Sequence, residues 1–206
     1  MYPVLVSLDP PPGKGWDWAF DLIEKLKDKV WGFKVGWPLI IEGKENLERI
    51  DSRIVLDLKL ADIGYTMRNI ISRLNGDAVI AHAFVGYKKA LDILREETAK
   101  RDMELYLVVS MSHKGSKEYI DRHIKEFIKL AYLVADGVVA PATRLDVLRL
   151  VRRYWPKTIL SPGIGAQGAP PCSALRAGAN LEIVGRALTR SDDPVSFLES
   201  HYSQCS

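Results

Sequence analysis

The sequence predicts an α/β protein, a (β/α)8 barrel formed by a single domain. At 206 residues the chain is long enough for one domain with a sizeable core and short for two. Short β-branched or apolar runs alternate with longer amphipathic stretches along the whole chain, which is typical of a parallel sheet with connecting helices. About eight such units are present, and this repeat number favours a closed barrel over an open, doubly wound sheet. We therefore expect one domain over residues 1–206.

The predicted elements follow one another without a linker or a break in composition. The candidate strands are eight apolar, β-rich runs at residues 3–8, 30–35, 53–59, 78–82, 105–110, 137–140, 158–161 and 182–184. Helical periodicity separates several of them, most clearly at residues 16–27, 63–74, 87–100, 117–134 and 144–154. In such barrels the functional groups lie at the carboxyl ends of the strands, so chemistry is expected there.

The composition argues against several classes of protein. No apolar run approaches the ~20 residues of a membrane span, and the apolar opening segment lacks the basic leader and cleavage site of a signal peptide. A cytoplasmic protein is therefore expected. The formal net charge of +3 is spread over solvated helix faces, a pattern that does not predict nucleic-acid binding. Cys172 and Cys205 form neither a CxxC pair nor part of a zinc cluster, so reduced thiols are expected.

Two opposite charges stand at the end of the third predicted strand. Asp57 and Lys59 are two residues apart, so their side chains share one face of the strand. Leu56, Leu58 and Leu60 share the other face, and in a barrel they would pack under the helices. The charged pair would then enter the mouth of the barrel, where charges are costly unless they are paired or used.

Neighbouring strands also end in charges. Lys34 ends the second strand, Asp9 follows the first, and Asp62 follows the third where a helix should begin. A helix N-cap is the alternative for Asp62 alone, and an ordinary ion pair is the alternative for Lys34 or Asp57 alone. Charged ends on three consecutive strands favour a functional pocket, and its expected members are Asp9, Lys34, Asp57 and Lys59.

Two loops near the end of the chain have the features of a phosphate site. Residues 161–168, SPGIGAQG, follow the seventh strand, and their glycines allow backbone amides to approach an anion closely. Gly185 and Arg186 follow the eighth strand and offer an amide and a forked guanidinium. A glycine-rich turn alone is weak support, because Gly and Pro are common in loops. The position of both loops at neighbouring strand ends makes phosphate binding the expected role.

The spacing of Asp57, Lys59, Asp62, Ile63 and Thr66 matches a DxKxxDIxxT signature, and through it the chain resembles the orotidine monophosphate decarboxylase family. The resemblance covers most of the chain. It implies a (β/α)8 barrel that converts orotidine 5'-monophosphate (OMP) to uridine 5'-monophosphate (UMP) and carbon dioxide in pyrimidine biosynthesis, without a metal or another cofactor. It also implies a catalytic tetrad of alternating charge, formed by Lys34, Asp57, Lys59 and Asp62.

The resemblance assigns substrate contacts as well. It places Gln167, Gly185 and Arg186 at the phosphate, and Pro162 near the departing carboxylate. Ser112, in a Met-Ser-His segment after the fifth strand, is implied to contact the pyrimidine amide. The full set of expected substrate-binding residues is Asp9, Ile63, Thr66, Ser112, Pro162, Gly163, Gln167, Gly185 and Arg186.

Two further implications concern assembly and mechanism. In the family that the sequence resembles, the residues at Asp62 and Thr66 reach into the partner's active site, so an obligatory homodimer is expected. Loss of carbon dioxide leaves a lone pair in the ring plane at C6 of the pyrimidine, where the ring carbonyls do not delocalise it. Lys59 is expected to stabilise this charge as an ammonium and then to protonate C6.

Two alternative functions stay open on the sequence alone. Hexulose-phosphate synthase and ketogulonate-phosphate decarboxylase resemble the chain at the third strand, but they bind magnesium through an acid where Lys34 stands. A non-catalytic nucleotide-binding or nucleic-acid-binding barrel would bind UMP without turning over OMP. Lys34, Ile63 and Thr66 favour the OMP decarboxylase. The chain departs from that family's usual pattern at Lys114 and at residues 169–171, both in loops.

Overall fold

Eight parallel strands form a closed barrel in the computed structural model, which describes residues 1–205. The strands are β1 (Tyr2–Leu8), β2 (Val30–Gly36), β3 (Ile54–Leu60), β4 (Ala78–His82), β5 (Glu104–Val108), β6 (Gly137–Val139), β7 (Thr158–Pro162) and β8 (Leu181–Val184). Each strand pairs with its neighbour in the chain, and β8 returns to β1, where Val4 is opposite Glu182 and Val6 is opposite Val184. This closure confirms the predicted barrel and excludes an open sheet.

A helix follows each strand, and one more helix comes near the end of the chain. The helices are α1 (Trp16–Leu26), α2 (Trp37–Gly43), α3 (Gly64–Ile71), α4 (Asp92–Lys100), α5 (Ile124–Val134), α6 (Leu145–Tyr154), α7 (Ser173–Arg176), α8 (Arg186–Thr189) and α9 (Pro194–Tyr202). In the part of the chain that the structure describes, none of them is long and apolar enough to cross a membrane.

Three helices are shorter than their sequence periodicity predicts. Helix α3 ends at Ile71 rather than at residue 74. Helix α4 begins at Asp92 rather than at residue 87, because Lys89 has a φ of 59° and the Asp92 carboxylate accepts backbone hydrogen bonds from the segment before it. Short 3-10 turns precede α5, which begins at Ile124. Local hydrogen bonds of this kind compete with a helix without changing the apolar period.

The amino-terminal end of the barrel interior is filled by a large side chain. The ring of Tyr106 lies against Gly137 so closely that a Cβ at Gly137 would be 2.2 Å from a ring carbon. The Tyr106 hydroxyl donates to Glu104 at 2.6 Å, and Glu104 also pairs with Arg53 at 2.7 Å. Because this end is occupied, the open space of the barrel lies at the carboxyl ends of the strands.

The outer faces of the strands pack under the helices. Leu56, Leu58 and Leu60 of β3 are buried in the same apolar cluster as Met67 of α3 and Leu94 of α4, as their spacing predicts. Each buried leucine stabilises the fold by about 1.5–3 kcal/mol. This layer fixes which face of β3 is turned to the barrel mouth.

The two cysteines form a disulfide bond, and the expectation of reduced thiols was wrong. Cys172 precedes α7 and Cys205 follows α9, and their Cα atoms are 5.4 Å apart despite a sequence separation of 33. Glu182 of β8 is fully buried and joins the same two segments, since it accepts the Cys172 amide at 3.0 Å and the Tyr202 hydroxyl at 2.6 Å. The contact results from the packing of α9 beside β8, which the cysteine spacing does not reveal.

Removal of the disulfide should lower thermal stability. A cross-link across a loop of this length stabilises a fold by about 3–4 kcal/mol, chiefly through the unfolded chain. The Cys205→Ser variant should therefore melt roughly 7–14 °C below the wild type in scanning calorimetry. Reductant should lower the Tm of the wild type and leave that of the variant unchanged. Detection of two free thiols in unreduced, denatured wild type would contradict the bond.

Candidate active site

A cavity of about 420 Å³ opens at the carboxyl ends of the strands, and all eight strands contribute side chains to its wall. Its volume is within the range of small-molecule sites. The predicted site residues that line it are Asp9, Lys34, Asp57, Lys59, Ser112, Pro162, Gly163, Gln167, Gly185 and Arg186. The charged strand ends and the glycine-rich loops are thus brought to one place.

Asp57 lies at the centre of the charged groups in this cavity. Its carboxylate accepts Lys59 Nζ at 2.7 and 2.8 Å, and one of its oxygens is 2.8 Å from Lys34 Nζ. The side chains of Asp57 and Lys34 are each 8% exposed, whereas that of Lys59 is 43% exposed. Asp9 is 3.8 Å from Lys34 and accepts the Ser7 hydroxyl at 2.6 Å. One buried carboxylate therefore holds two ammonium groups that line the cavity, of which Lys59 is much the more exposed.

The two lysines keep Asp57 ionised. Burial by itself would raise the pKa of Asp57. The positive charges of Lys34 and Lys59, together with their hydrogen bonds, outweigh burial and lower this pKa below its ordinary value. Asp57 is consequently a carboxylate at neutral pH and orients Lys59 as a hydrogen-bond acceptor.

The backbone at Lys59 is in an unusual conformation. Lys59 has a φ of 43°, in the left-handed region that non-glycine residues seldom adopt. The pairing of β3 with β4 changes register here, since Leu56 is opposite Val79 while Leu60 is opposite Ala81. Strained residues of this kind persist where the surrounding structure holds them, and they are concentrated at functional sites. At this bulge the Lys59 side chain turns back towards Asp57, two residues earlier in β3, so that the ammonium contacts the carboxylate.

Asp62, Ile63 and Thr66 do not line the cavity of their own chain. Asp62 is exposed, and its carboxylate accepts the amide of Ile63 at 2.6 Å. The N-cap of α3 is Ile63, which makes no side-chain cap, so the N-cap alternative for Asp62 was wrong. Within one chain the predicted tetrad is therefore a triad, and its fourth member faces outwards.

The two glycine-rich loops pack against each other. Gly163 and Gly165 have φ values of 113° and 68°, which other residues adopt only with strain. A Cβ on Gly165 would be 2.3 Å from the Cβ of Ala187, so the loop after β7 approaches the loop after β8 closely. Gln167 and Arg186 line the cavity from these two loops. The two segments in which phosphate binding was predicted therefore meet at the cavity.

A partly buried polar network behind Ser112 was not predicted from the sequence. Arg144 donates to the Ser110 hydroxyl at 2.7 Å and also contacts Asp121 and the Met111 carbonyl. Ser110 in turn donates to Asp121 at 2.8 Å. These bonds join the loop after β6 to the loop after β5, which carries Ser112 into the cavity. The sequence did not indicate a role for Asp121, because this residue lies in a stretch whose periodicity predicts a helix.

The histidines lie outside the cavity lining, although His82 is near enough to Lys59 and Asp57 for their charges to act on it. His82 ends β4 and is buried, but neither His82 nor His113 lines the cavity. Over residues 1–205 there is no group of three or more His, Cys, Asp or Glu side chains that could hold a metal ion.

Known proteins resemble the chain over nearly its whole length. The profile of the "Orotidine 5'-phosphate decarboxylase / HUMPS family" matches residues 2–200. An orotidine 5'-phosphate decarboxylase of Aeropyrum pernix is 44% identical, with 95% of this chain and 85% of the relative covered. That of Saccharolobus solfataricus is 35% identical, with 96% and 89% covered.

Solved structures agree with these relatives. The crystal structure of orotidine 5'-monophosphate decarboxylase from Metallosphaera sedula is 41% identical, with a TM-score of 0.84 and 98% and 96% of the two chains covered. The enzyme from Methanocaldococcus jannaschii, complexed with inhibitor BMP, is 28% identical, with a TM-score of 0.85 and 99% and 100% covered. Sequence profile, relatives and fold coincide, and the chain belongs to the orotidine 5'-phosphate decarboxylase / HUMPS family.

Proposed function

We propose that this chain is an orotidine 5'-phosphate decarboxylase, a carboxy-lyase that converts OMP to UMP and carbon dioxide. It acts in the cytoplasm, in pyrimidine biosynthesis, and needs neither a metal nor another cofactor. The observation that carries the proposal is the Lys34, Asp57 and Lys59 array, which shares one cavity with two glycine-rich loops. The decarboxylases among its relatives and the inhibitor complex of a structural neighbour support the same substrate.

The substrate is oriented by the two ends of the cavity. The phosphate binds between Gln167 of one loop and Gly185 and Arg186 of the other, because amide and guanidinium donors suit its oxygens. The pyrimidine then extends towards Lys59, and Ser112 contacts its amide edge. In this orientation C6 of the pyrimidine lies beside the Lys59 ammonium, which is more exposed than that of Lys34.

Lys59 performs the chemical step. The bond between C6 and the carboxylate breaks, carbon dioxide leaves, and the electron pair stays at C6 in the ring plane. The Lys59 ammonium stabilises this charge and transfers a proton to C6, which gives UMP and a neutral amine that regains its proton from solvent. Asp57 fixes the direction of the ammonium before the reaction, so little reorganisation is needed during it. Lys34 keeps Asp57 charged and reaches the ribose hydroxyls.

The magnesium-dependent members of the same family are the alternative, and Lys34 argues against it. Its ammonium is buried and 2.8 Å from the Asp57 carboxylate. A divalent cation bound by Asp57 would lie beside this positive charge, and at such distances like charges repel by several kcal/mol in a protein site. In those enzymes the residue at the position of Lys34 would supply a metal ligand, whereas in this chain it is a cation.

A homodimer completes the active site. Asp62, Ile63 and Thr66 lie outside the cavity of their own chain, and we propose that they enter that of a second copy. Large apolar side chains are exposed on the helices and turns that follow β2, β3 and β4, where such a copy would dock. They are Trp37 at 40%, Ile41 at 79%, Ile63 at 62%, Tyr65 at 60%, Phe84 at 52% and Tyr87 at 44% exposure.

Removal of the Lys59 ammonium should nearly abolish the turnover of OMP. Lys59→Ala should lower kcat by roughly 10³- to 10⁴-fold or more in an ultraviolet assay with OMP, because it removes both the charge and the proton donor. Lys100→Ala, at the end of α4, is the matched control and should leave kcat unchanged. A chelator should have no effect on the wild type. Turnover that disappears with chelator and returns with Mg²⁺ would move the assignment to the sugar-phosphate enzymes.

Mixed dimers test the shared site. Lys59→Ala and Asp62→Ala should each be inactive as homodimers. After the two variants are unfolded together and refolded, random pairing should restore about one quarter of the wild-type sites, because each mixed dimer contains one intact site. An inactive mixture that elutes as a dimer would show that Asp62 acts within its own chain.

The phosphate end should contribute binding rather than chemistry. Arg186→Ala should raise KM for OMP by about 10- to 100-fold, as expected for loss of a charged hydrogen bond, with a smaller effect on kcat at saturation. Steady-state kinetics over a wide range of OMP concentration measure the two separately. An unchanged KM with a collapsed kcat would contradict this role.

A further inference from the structure

A second arginine lines the cavity next to Arg186. Arg190 is four residues further along the chain, and its amide donates to the Arg186 carbonyl at 3.2 Å, so the two lie on the same side of one helical turn. Both line the cavity and both are exposed. They belong to the segment around α8, whose Ala187 packs against Gly165 of the glycine-rich loop after β7.

Neither arginine is neutralised by the protein. Among residues 1–205 no carboxylate lies within 4.0 Å of Arg186 or Arg190, whereas Arg53, Arg95 and Arg144 each have one. Two like charges four residues apart on a helical turn repel each other. An arrangement of this kind is relieved when an anion lies between the two guanidinium groups.

The charge of the cavity has the sign and size that a phosphate monoester requires. The charged residues of its lining are four cations and two anions, namely Lys34, Lys59, Arg186, Arg190, Asp9 and Asp57. Asp57 and Asp9 are already engaged with the two lysines. Within one chain the excess of two positive charges therefore belongs to the arginines, and it matches a phosphate monoester, which carries nearly two negative charges at neutral pH because its second pKa is about 6.

We propose that Arg190 is a second phosphate ligand, which together with Arg186 selects the dianionic form of the 5'-phosphate. The identification of the nucleotide rests on the proposed function, whereas the need for a divalent anion rests on the charges alone. Two guanidinium groups make the affinity depend more steeply on phosphate ionisation and on ionic strength than one would. Binding should accordingly weaken as the phosphate gains a proton below about pH 6.

Calorimetric titration with UMP, and with uridine as the probe without phosphate, tests the assignment. Arg190→Gln should raise the Kd for UMP about tenfold at pH 7.5 and leave that for uridine unchanged. Arg190→Lys, which keeps the charge, should lie between wild type and Arg190→Gln. Arg149→Gln, on α6 and outside the cavity lining, is the matched control and should bind both probes as the wild type does.

The pH dependence provides a second measurement. Between pH 7.5 and 5 the UMP affinity of wild type should fall further than that of Arg190→Gln, so that the two converge. An Arg190→Gln variant with the wild-type Kd for UMP, or one that weakens uridine equally, would overturn the assignment.

Measurement of OMP turnover by the wild type tests the proposed function separately. If the wild type fails to decarboxylate OMP while Arg190→Gln still weakens UMP or inorganic phosphate, the proposed function falls and the phosphate ligand stands. A wild type that binds neither UMP nor inorganic phosphate would refute the ligand as well.

Discussion

The sharing of one buried carboxylate between two ammonium groups is the constraint on which the site depends. Asp57 is ionised because Lys34 and Lys59 offset the cost of its burial. Both ammonium groups line the cavity, and Lys59 is the more exposed of the two, so the same contacts stabilise the cluster and orient Lys59 in the cavity. The leucines on the opposite face of β3 anchor the strand, and the positive φ at Lys59 allows the ammonium to return to Asp57. The packing of the fold thus maintains a strained backbone and a cluster of charges at the carboxyl end of β3.

The two ends of the cavity are fixed by contacts between loops. At one end Gly165 permits close approach to Ala187, which holds the loop after β7 against the loop after β8. At the other, Arg144 joins the loop after β6 to the one that carries Ser112. The cavity is therefore bounded by loops that contact and stabilise each other, and the strands of the barrel form its rigid floor.

The sequence predicts the barrel and most of the cavity because both follow local rules. A period of two residues places Asp57 and Lys59 on one face, and parallel strands bring their carboxyl ends together. Contacts between distant segments obey no such rule. The Cys172 to Cys205 bond and the Arg144 contact with Asp121 depend on how segments pack, and the strain at Lys59 arises from a bulge that leaves the apolar pattern unchanged.

The tie between Glu182, Cys172 and the chain's last helix has a consequence for biosynthesis. Tyr202 and Cys205 come after every strand and every cavity-lining residue in the sequence, yet they are bonded to residues that follow the glycine-rich loop after β7 and to β8. A nascent chain that lacks the segment with these two residues already contains every strand and every cavity-lining residue, but it lacks the Tyr202 hydrogen bond to Glu182 and the disulfide bond to Cys172. Synthesis of α9 and Cys205 is thus the step after which the segment behind the glycine-rich loop can form all of these contacts.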